Sequence, residues 1–393
     1  MPLLQEALRA APPGDSALRA RLLSRLAGAA RERAYSDQAL AIARRLRDPS
    51  LLAHTLDTAA VALWTPDNVA ERIEMAAEQA RLADEIGDSE RAVPAHDYLL
   101  LAYLELGDVR GLEAELQAVG HNAERLLEPA LLWKATACQA LFALMRGRFD
   151  DAERLIERAF TFGEESQSWN ALITHRLQTV ALRSARGGLE ELEPDLARLA
   201  REQTAYPVIR CVLASVYAEL GRETEARRIL AEFAEDGFAQ LPFNEEWPFG
   251  MTLLAKVGAV VGDTTTADLL YSRLLPYADR NAVGIIEFVA GSVSGALGEL
   301  ASICGRFDQA AEHLDAGLVM HSELGADPLI AHTELGYARL LLRRGRPNDA
   351  SQARKFLRSA EARYRALGMR PWIDQARPSA KIAVAGQARA TPQ

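Results

Sequence analysis

The chain has 393 residues, of which 49% are hydrophobic and 25% charged, with a formal net charge of −9. This composition suits a folded, helix-rich protein and argues against non-specific nucleic-acid binding, which needs a positive surface to displace counterions from phosphates. Its three cysteines, Cys138, Cys211 and Cys304, are widely separated and lie in apolar sequence. They form neither a metal spacing nor a disulfide framework, which predicts a reducing, cytoplasmic setting.

In chain order, MPLLQEALRA carries no basic segment followed by an apolar one, so no signal peptide is predicted. Asp15 and Ser16 are cap candidates for a helix running to about Arg33. A second helix is expected over Ser36 to Arg47, and Asp48-Pro49 opens a third. TPDN at 65–68 reads as a turn before a helix ending near Ile86.

From there a period takes over. Gly107, Gly147, Gly187, Gly221, Gly262, Gly305 and Gly345 follow one another at steps of 40, 40, 34, 41, 43 and 40 residues. Five residues after them stand Leu112, Ala152, Leu192, Ala226, Ala267, Ala310 and Ala350. Seven residues before them stand Leu100, Ala140, Val180, Ala214, Ala255, Gly298 and Ala338. Each glycine closes one amphipathic helix and precedes another, as in GRFDDAERLIERAF from Gly147 to Phe160. Small residues at the −7 position let paired helices approach closely.

This is the tetratricopeptide pattern, stretched to about 40 residues per unit. It predicts an all-α, right-handed α-solenoid of about nine antiparallel helix pairs, forming one domain over 1–373. Repeats over 1–86 are expected to be degenerate and those over 87–373 regular, with a loose tail over 374–393. The abrupt entry into the array, without an N-terminal capping helix, points toward a fragment of a longer gene product, with a complete chain as the other open reading. The most apolar long run, Phe288 to Gly305, contains Glu299 and reads as a buried helix, not a membrane span.

Segments such as ALWTPDNVAERI, GRFDDAERLIERAF, AELGRETEARRIL and CGRFDQAAEHLDAGLVMHSELGADPLIAHTELGYARLLLRRGRP carry a more particular likeness. Over about residues 1–370 the chain resembles the C-terminal helical region of large bacterial signalling ATPases. In that family a class III nucleotide cyclase or other input module precedes an NTPase, and a LuxR-type DNA-binding module sometimes follows. The maltose-regulon activator is related in architecture. The resemblance implies a sensor or scaffold whose binding events change an attached ATPase. No G-x-x-x-x-G-K-[ST] loop, cyclase part or recognition helix after Trp372 is present, so the family's catalytic residues have no counterpart here. An ATPase or cyclase regulator supplied in trans is the corresponding expected partner.

Catalytic patterns are not found. No pair of histidines has the zinc-protease spacing, and His313 and His321 are expected on a solvated helix face. GSVSG at 291–295 has Val293 where a nucleophile elbow needs serine. Gly284, Gly291, Gly295 and Gly298 are read as one face of a single helix, used for close packing or for leaving ligand room.

In tetratricopeptide units the first helix of each pair lines the concave side, about 2, 3, 6, 10 and 13 residues before the glycine. Its polar candidates here are Asp97, Glu105, Lys134, Thr174, Ser184, Glu219, Thr252, Lys256, Ser292, Glu299, His332, Arg339 and Arg343. Two of the chain's four lysines are among them, which suits an acidic peptide or a carboxylate-bearing ligand. The expected function is therefore a non-catalytic binding scaffold in signalling or transcriptional control. It would recognise a protein, a peptide or a small effector, without cofactor or metal and without contacting nucleic acid or membrane. The alternative is an enzyme using Asp97 or Glu299 with His332, which a closed cavity with converging polar groups would favour.

Overall fold

The computed structural model describes residues 1–126 and 128–390, and their side chains except at 122–126, 378 and 382–390. The chain divides into two compact units, 1–104 with 108–135, and 105–107 with everything from Thr136 on. The expected single domain over 1–373 is thus two compact units.

The first unit comprises α1 (Pro2–Ala10), α2 (Ala17–Ala30), α3 (Arg33–Leu46), α4 (Pro49–Ala62), α5 (Val69–Ile86), most of α6 (Ser89–Leu106), α7 (Val109–Leu126) and the start of α8 (Pro129–Met145). The expected caps are present. The Arg19 amide donates to Ser16 Oγ at 3.2 Å, and the Leu51 amide to Asp48 Oδ1 at 3.1 Å. TPDN forms a 3-10 turn with a reciprocal Thr65–Asn68 capping box. The array is not entered abruptly as expected, because α1 packs on α2 ahead of the first predicted helix.

The second unit continues with α9 (Phe149–Glu165), α10 (Trp169–Arg186), α11 (Leu189–Glu202), α12 (Val208–Glu219), α13 (Glu223–Ala234), α14 (Trp247–Val261) and α15 (Thr264–Leu274). A hairpin follows, β1 (Asn281–Gly284) and β2 (Phe288–Ser292), and then α16 (Val293–Ile303), α17 (Phe307–Glu323), α18 (Asp327–Arg344), α19 (Asp349–Leu367) and α20 (Arg370–Ala390). The protein is an all-α helical array, in which helices joined by short turns pack as neighbours.

All seven periodic glycines have φ between 64° and 102°, the left-handed region that ends helices and disfavours side chains. At −7, Ala140, Ala214, Ala255 and Ala338 are completely buried, and a methyl group on Gly298 would lie 2.7 Å from Leu314 Cγ. Gly221 has open space around it, whereas a methyl group on Gly147 would stand 2.6 Å from Leu367 Cδ2 and 3.3 Å from Pro328 Cγ. Gly221→Ala is therefore expected to cost about 1 kcal/mol, from backbone strain alone. Gly147→Ala adds crowding and should cost about 2 kcal/mol or more. Equal losses in urea denaturation would refute the difference.

Two features of the second unit depart from expectation. First, the stretch read as one buried helix begins as a strand. Val283, Ile285, Ile286, Phe288 and Val289 are β-branched or aromatic, and glycines interrupt any helix there. The antiparallel register pairs Asn281 with Ser292 and Ala282 with Gly291, then shifts so that Val283 meets Val289. Ala290 is the extra, bulged residue. Gly284 and Gly291 thus lie in strands: Gly284 is pressed against the Phe249 ring, and Gly291 has φ 112°.

Second, the expected loose tail is helical. α20 extends to Ala390, and residues 391–393 lie outside the described chain. Within the second unit the inner helices α10, α12, α14, α16, α18 and α20 pack in succession, and α20 also packs on α10. The six therefore form a closed ring instead of an open groove. At the seam, Trp372 Nε1–H donates to the Ser184 carbonyl at 3.0 Å and Gln375 Nε2–H to the Glu219 carbonyl at 3.5 Å. Buried residues of α8–α10, including Ala143, Phe149 and Leu182, share one apolar cluster with Leu335, Leu357 and Tyr364.

Candidate functional site

A cavity of about 290 Å³ lies inside the ring of the second unit. Its wall follows the glycine register. Ala181, Ser215, Lys256, Glu299 and Arg339 all line it, and each stands six residues before its glycine. Successive inner helices therefore contribute one layer of side chains at equal height. Leu253, Val257 and Val260 accompany Lys256 on α14, while His332 and Leu335 accompany Arg339 on α18, at the i, i+3, i+4, i+7 spacing of one helical face. Phe149, Phe288, Val289, Met369 and Trp372 supply much of the apolar remainder.

The polar groups have unequal surroundings. Lys256 Nζ donates to the Ala290 carbonyl, which the bulge leaves out of the ladder. Burial pulls the Lys256 ammonium below the usual lysine range, and the carboxylates Glu299 and Glu219 oppose that shift. Glu219 accepts from Ser184 Oγ at 2.6 Å, and burial pushes its carboxyl up to about 7. His332 is held neutral by burial and by the neighbouring positive charges of Lys256 and Arg339. Its Nδ1 lies 2.9 Å from Tyr364 Oη, and its ring lies 4.1 Å from that of Trp372. The Glu299 carboxylate lies over Gly336, where an added methyl group would stand 3.2 Å from Oε1.

Behind this wall His321 anchors the hairpin to α18. The Ser292 amide donates to Nε2 at 2.8 Å, so that nitrogen carries no proton. Nδ1 lies 3.1 Å from Thr333 Oγ1, which itself donates to the Leu329 carbonyl at 2.9 Å. With its hydroxyl proton thus engaged, Thr333 accepts from His321 Nδ1–H. Burial lowers the His321 pKa to about 3, in keeping with a neutral ring. His321 is therefore not on a solvated face, and His313 is wedged between Tyr271 Oη and Ser294 Oγ at 3.0 Å each.

Of the residues singled out from the sequence, Lys256, Glu299, His332 and Arg339 meet at the cavity, with Ser184 and Glu219. Thr174 instead donates to Glu287 Oε1 at the hairpin tip, at 3.3 Å. Ser292 caps α16 by accepting from the Gly295 amide at 3.0 Å. Arg343 reaches Ser302 Oγ at 3.4 Å, and Thr252 is fully buried in α14. Asp97 and Lys134 belong to the first unit and line no part of this cavity. There burial lifts the Asp97 carboxyl to about 6 against the pull of Lys134 and His96. An enzyme built on Asp97 with His332 has no support in this cavity.

The residues missed are those of the hairpin and α20. Pro371, one residue into α20 and just after Gly368, was an available helix-start signal. No cluster of histidine, cysteine and carboxylate side chains that could hold a metal ion occurs among the described residues, and no described helix is long and apolar enough to cross a membrane.

These features define the class: an all-α helical-repeat protein with a mainly apolar cavity, carrying a few polar groups, inside a closed ring of helices. No protein-family model matches the chain, and no curated protein matches it. Among solved structures, one similar to it is a circular tandem repeat protein with novel repeat topology and enhanced subunit contact surfaces. The two are 15% identical over 99% of this chain and 90% of that chain, with a TM-score of 0.20. A score so low adds nothing to the fold, which rests on the helices themselves.

Proposed function

We propose that the second unit is a receptor for a small organic molecule held inside its ring, and that the chain acts as a non-catalytic sensor. The observation carrying this reading is the cavity itself. Its volume is near the lower end of small-ligand sites, and its wall combines an apolar majority with a few converging polar groups. A peptide or protein segment laid along an open concave face fits a closed ring less well. The resemblance to the helical region of bacterial signalling ATPases supports a role in signalling, with occupancy of the ring read by an ATPase or cyclase regulator in trans.

Filling the cavity tests this. Ser215 lines it, and its hydroxyl bonds only its own helix, at the Val212 carbonyl. Ser215→Phe is expected to keep the helical fold while abolishing the thermal shifts that metabolite-library members induce in the wild type. A variant that retains every shift would place binding outside the cavity and end the proposal.

The meeting of Lys256 and Glu219 at the cavity also favours a second reading, a catalytic cavity, because functional sites collect shifted pKa values. That reading requires the bound molecule to be recovered chemically altered after incubation. Recovery unchanged supports the receptor.

A further inference from the structure

The charges in the cavity narrow the chemistry of its occupant. Among the described residues, Arg339 and Glu299 make no hydrogen bond and no ion pair, although both face the cavity. Lys256 uses one N–H on Ala290 and retains two. Charged groups against apolar walls are costly unless partnered, so a cation and a carboxylate left open together describe the partner they lack. In the structure they do not pair with each other. Glu299 lies over Gly336, and Arg339 stands one helical turn further along α18.

Resting on the receptor reading above, we infer that the ring binds an amphipathic carboxylate that also carries a hydroxyl or ammonium group. Its carboxylate pairs with Arg339 and Lys256, its donor group with Glu299, and its apolar body lies against Phe149, Leu253 and Trp372. Arginine suits the first task because its planar fork takes a carboxylate through two parallel hydrogen bonds. Glu299 favours a ligand with a donor, since a hydroxyl or ammonium group supplies the hydrogen bond this carboxylate lacks, whereas an acid without one brings only a second negative charge beside it.

Four probes of nearly equal size separate these requirements: 3-phenyllactate, phenylalanine, 3-phenylpropionate without the donor, and phenethylamine without the carboxylate. Calorimetric titration of the full chain is expected to show 3-phenyllactate or phenylalanine binding at least about tenfold tighter than the two truncated probes. Arg339→Gln should weaken the better binder by about tenfold or more and leave phenethylamine unchanged. Circular dichroism and the melting temperature confirm that the variant is folded.

Phenethylamine binding as tightly as the acids, no effect of Arg339→Gln, or silence of all four probes at millimolar concentration would each overturn the inference. The receptor reading is decided separately. Library shifts lost in Ser215→Phe but produced by molecules without a carboxylate would remove the ligand class and leave the receptor. Shifts untouched by Ser215→Phe would remove both.

Discussion

Trp372→Ala is expected to destabilise the second unit by about 3 kcal/mol, the usual cost of truncating a large packed aromatic side chain. Trp372 joins the last helix to the first inner helix of the ring. Its indole donates to the Ser184 carbonyl, and its ring sits beside His332 and Tyr364. Truncation removes the apolar contact and leaves the Ser184 carbonyl without this donor. The loss should concentrate at the seam, so hydrogen exchange is expected to accelerate in α10, α18 and α20 while α12–α14 stay protected. A loss below about 1 kcal/mol with uniform exchange would show that α20 does not hold the ring closed.

Glu287→Gln is expected to stabilise the protein at alkaline pH. The Glu287 carboxyl lies at the hairpin tip, where burial, reinforced by Glu246, pushes it up to about 8 from its ordinary 4.5. A carboxyl raised on folding favours the native state below its unfolded pKa, and that contribution is lost as pH rises through the folded value. The window here runs from about 4.5 to about 8. Glutamine stays neutral throughout and can still accept from Thr174 Oγ1. The variant should gain roughly 3–4 kcal/mol over the wild type between pH 5 and pH 8, read from urea midpoints at each pH. An identical difference at both pH values would show that Glu287 does not titrate in this window.

The hairpin shows why part of the site was hidden in the sequence. β2 occupies the place where the repeat calls for the first turns of an inner helix, and glycines mimicking a packing face drew the hairpin into a helical reading. Their strand preference prevails because the tip is held from several sides. Gln178 Nε2–H donates to the Ala137 and Ile286 carbonyls at 2.8 and 2.7 Å, Phe249 packs edge-on against Phe288 at 4.8 Å, and His321 accepts from Ser292. Those partners lie on other helices, so no local window of sequence contains them.

Hydrophobic period and turn glycines determined the helices, their small-residue contacts and the inward position occupied by Lys256, Glu299 and Arg339, because each depends on residues within a few helical turns. Only the tertiary structure decided that the inner helices close. Ser184 and Trp372 are 188 residues apart, and their meeting depends on the accumulated rotation of every repeat between them. That closure turns one face of each helix into the wall of a cavity and places charges from separate repeats within reach of one molecule.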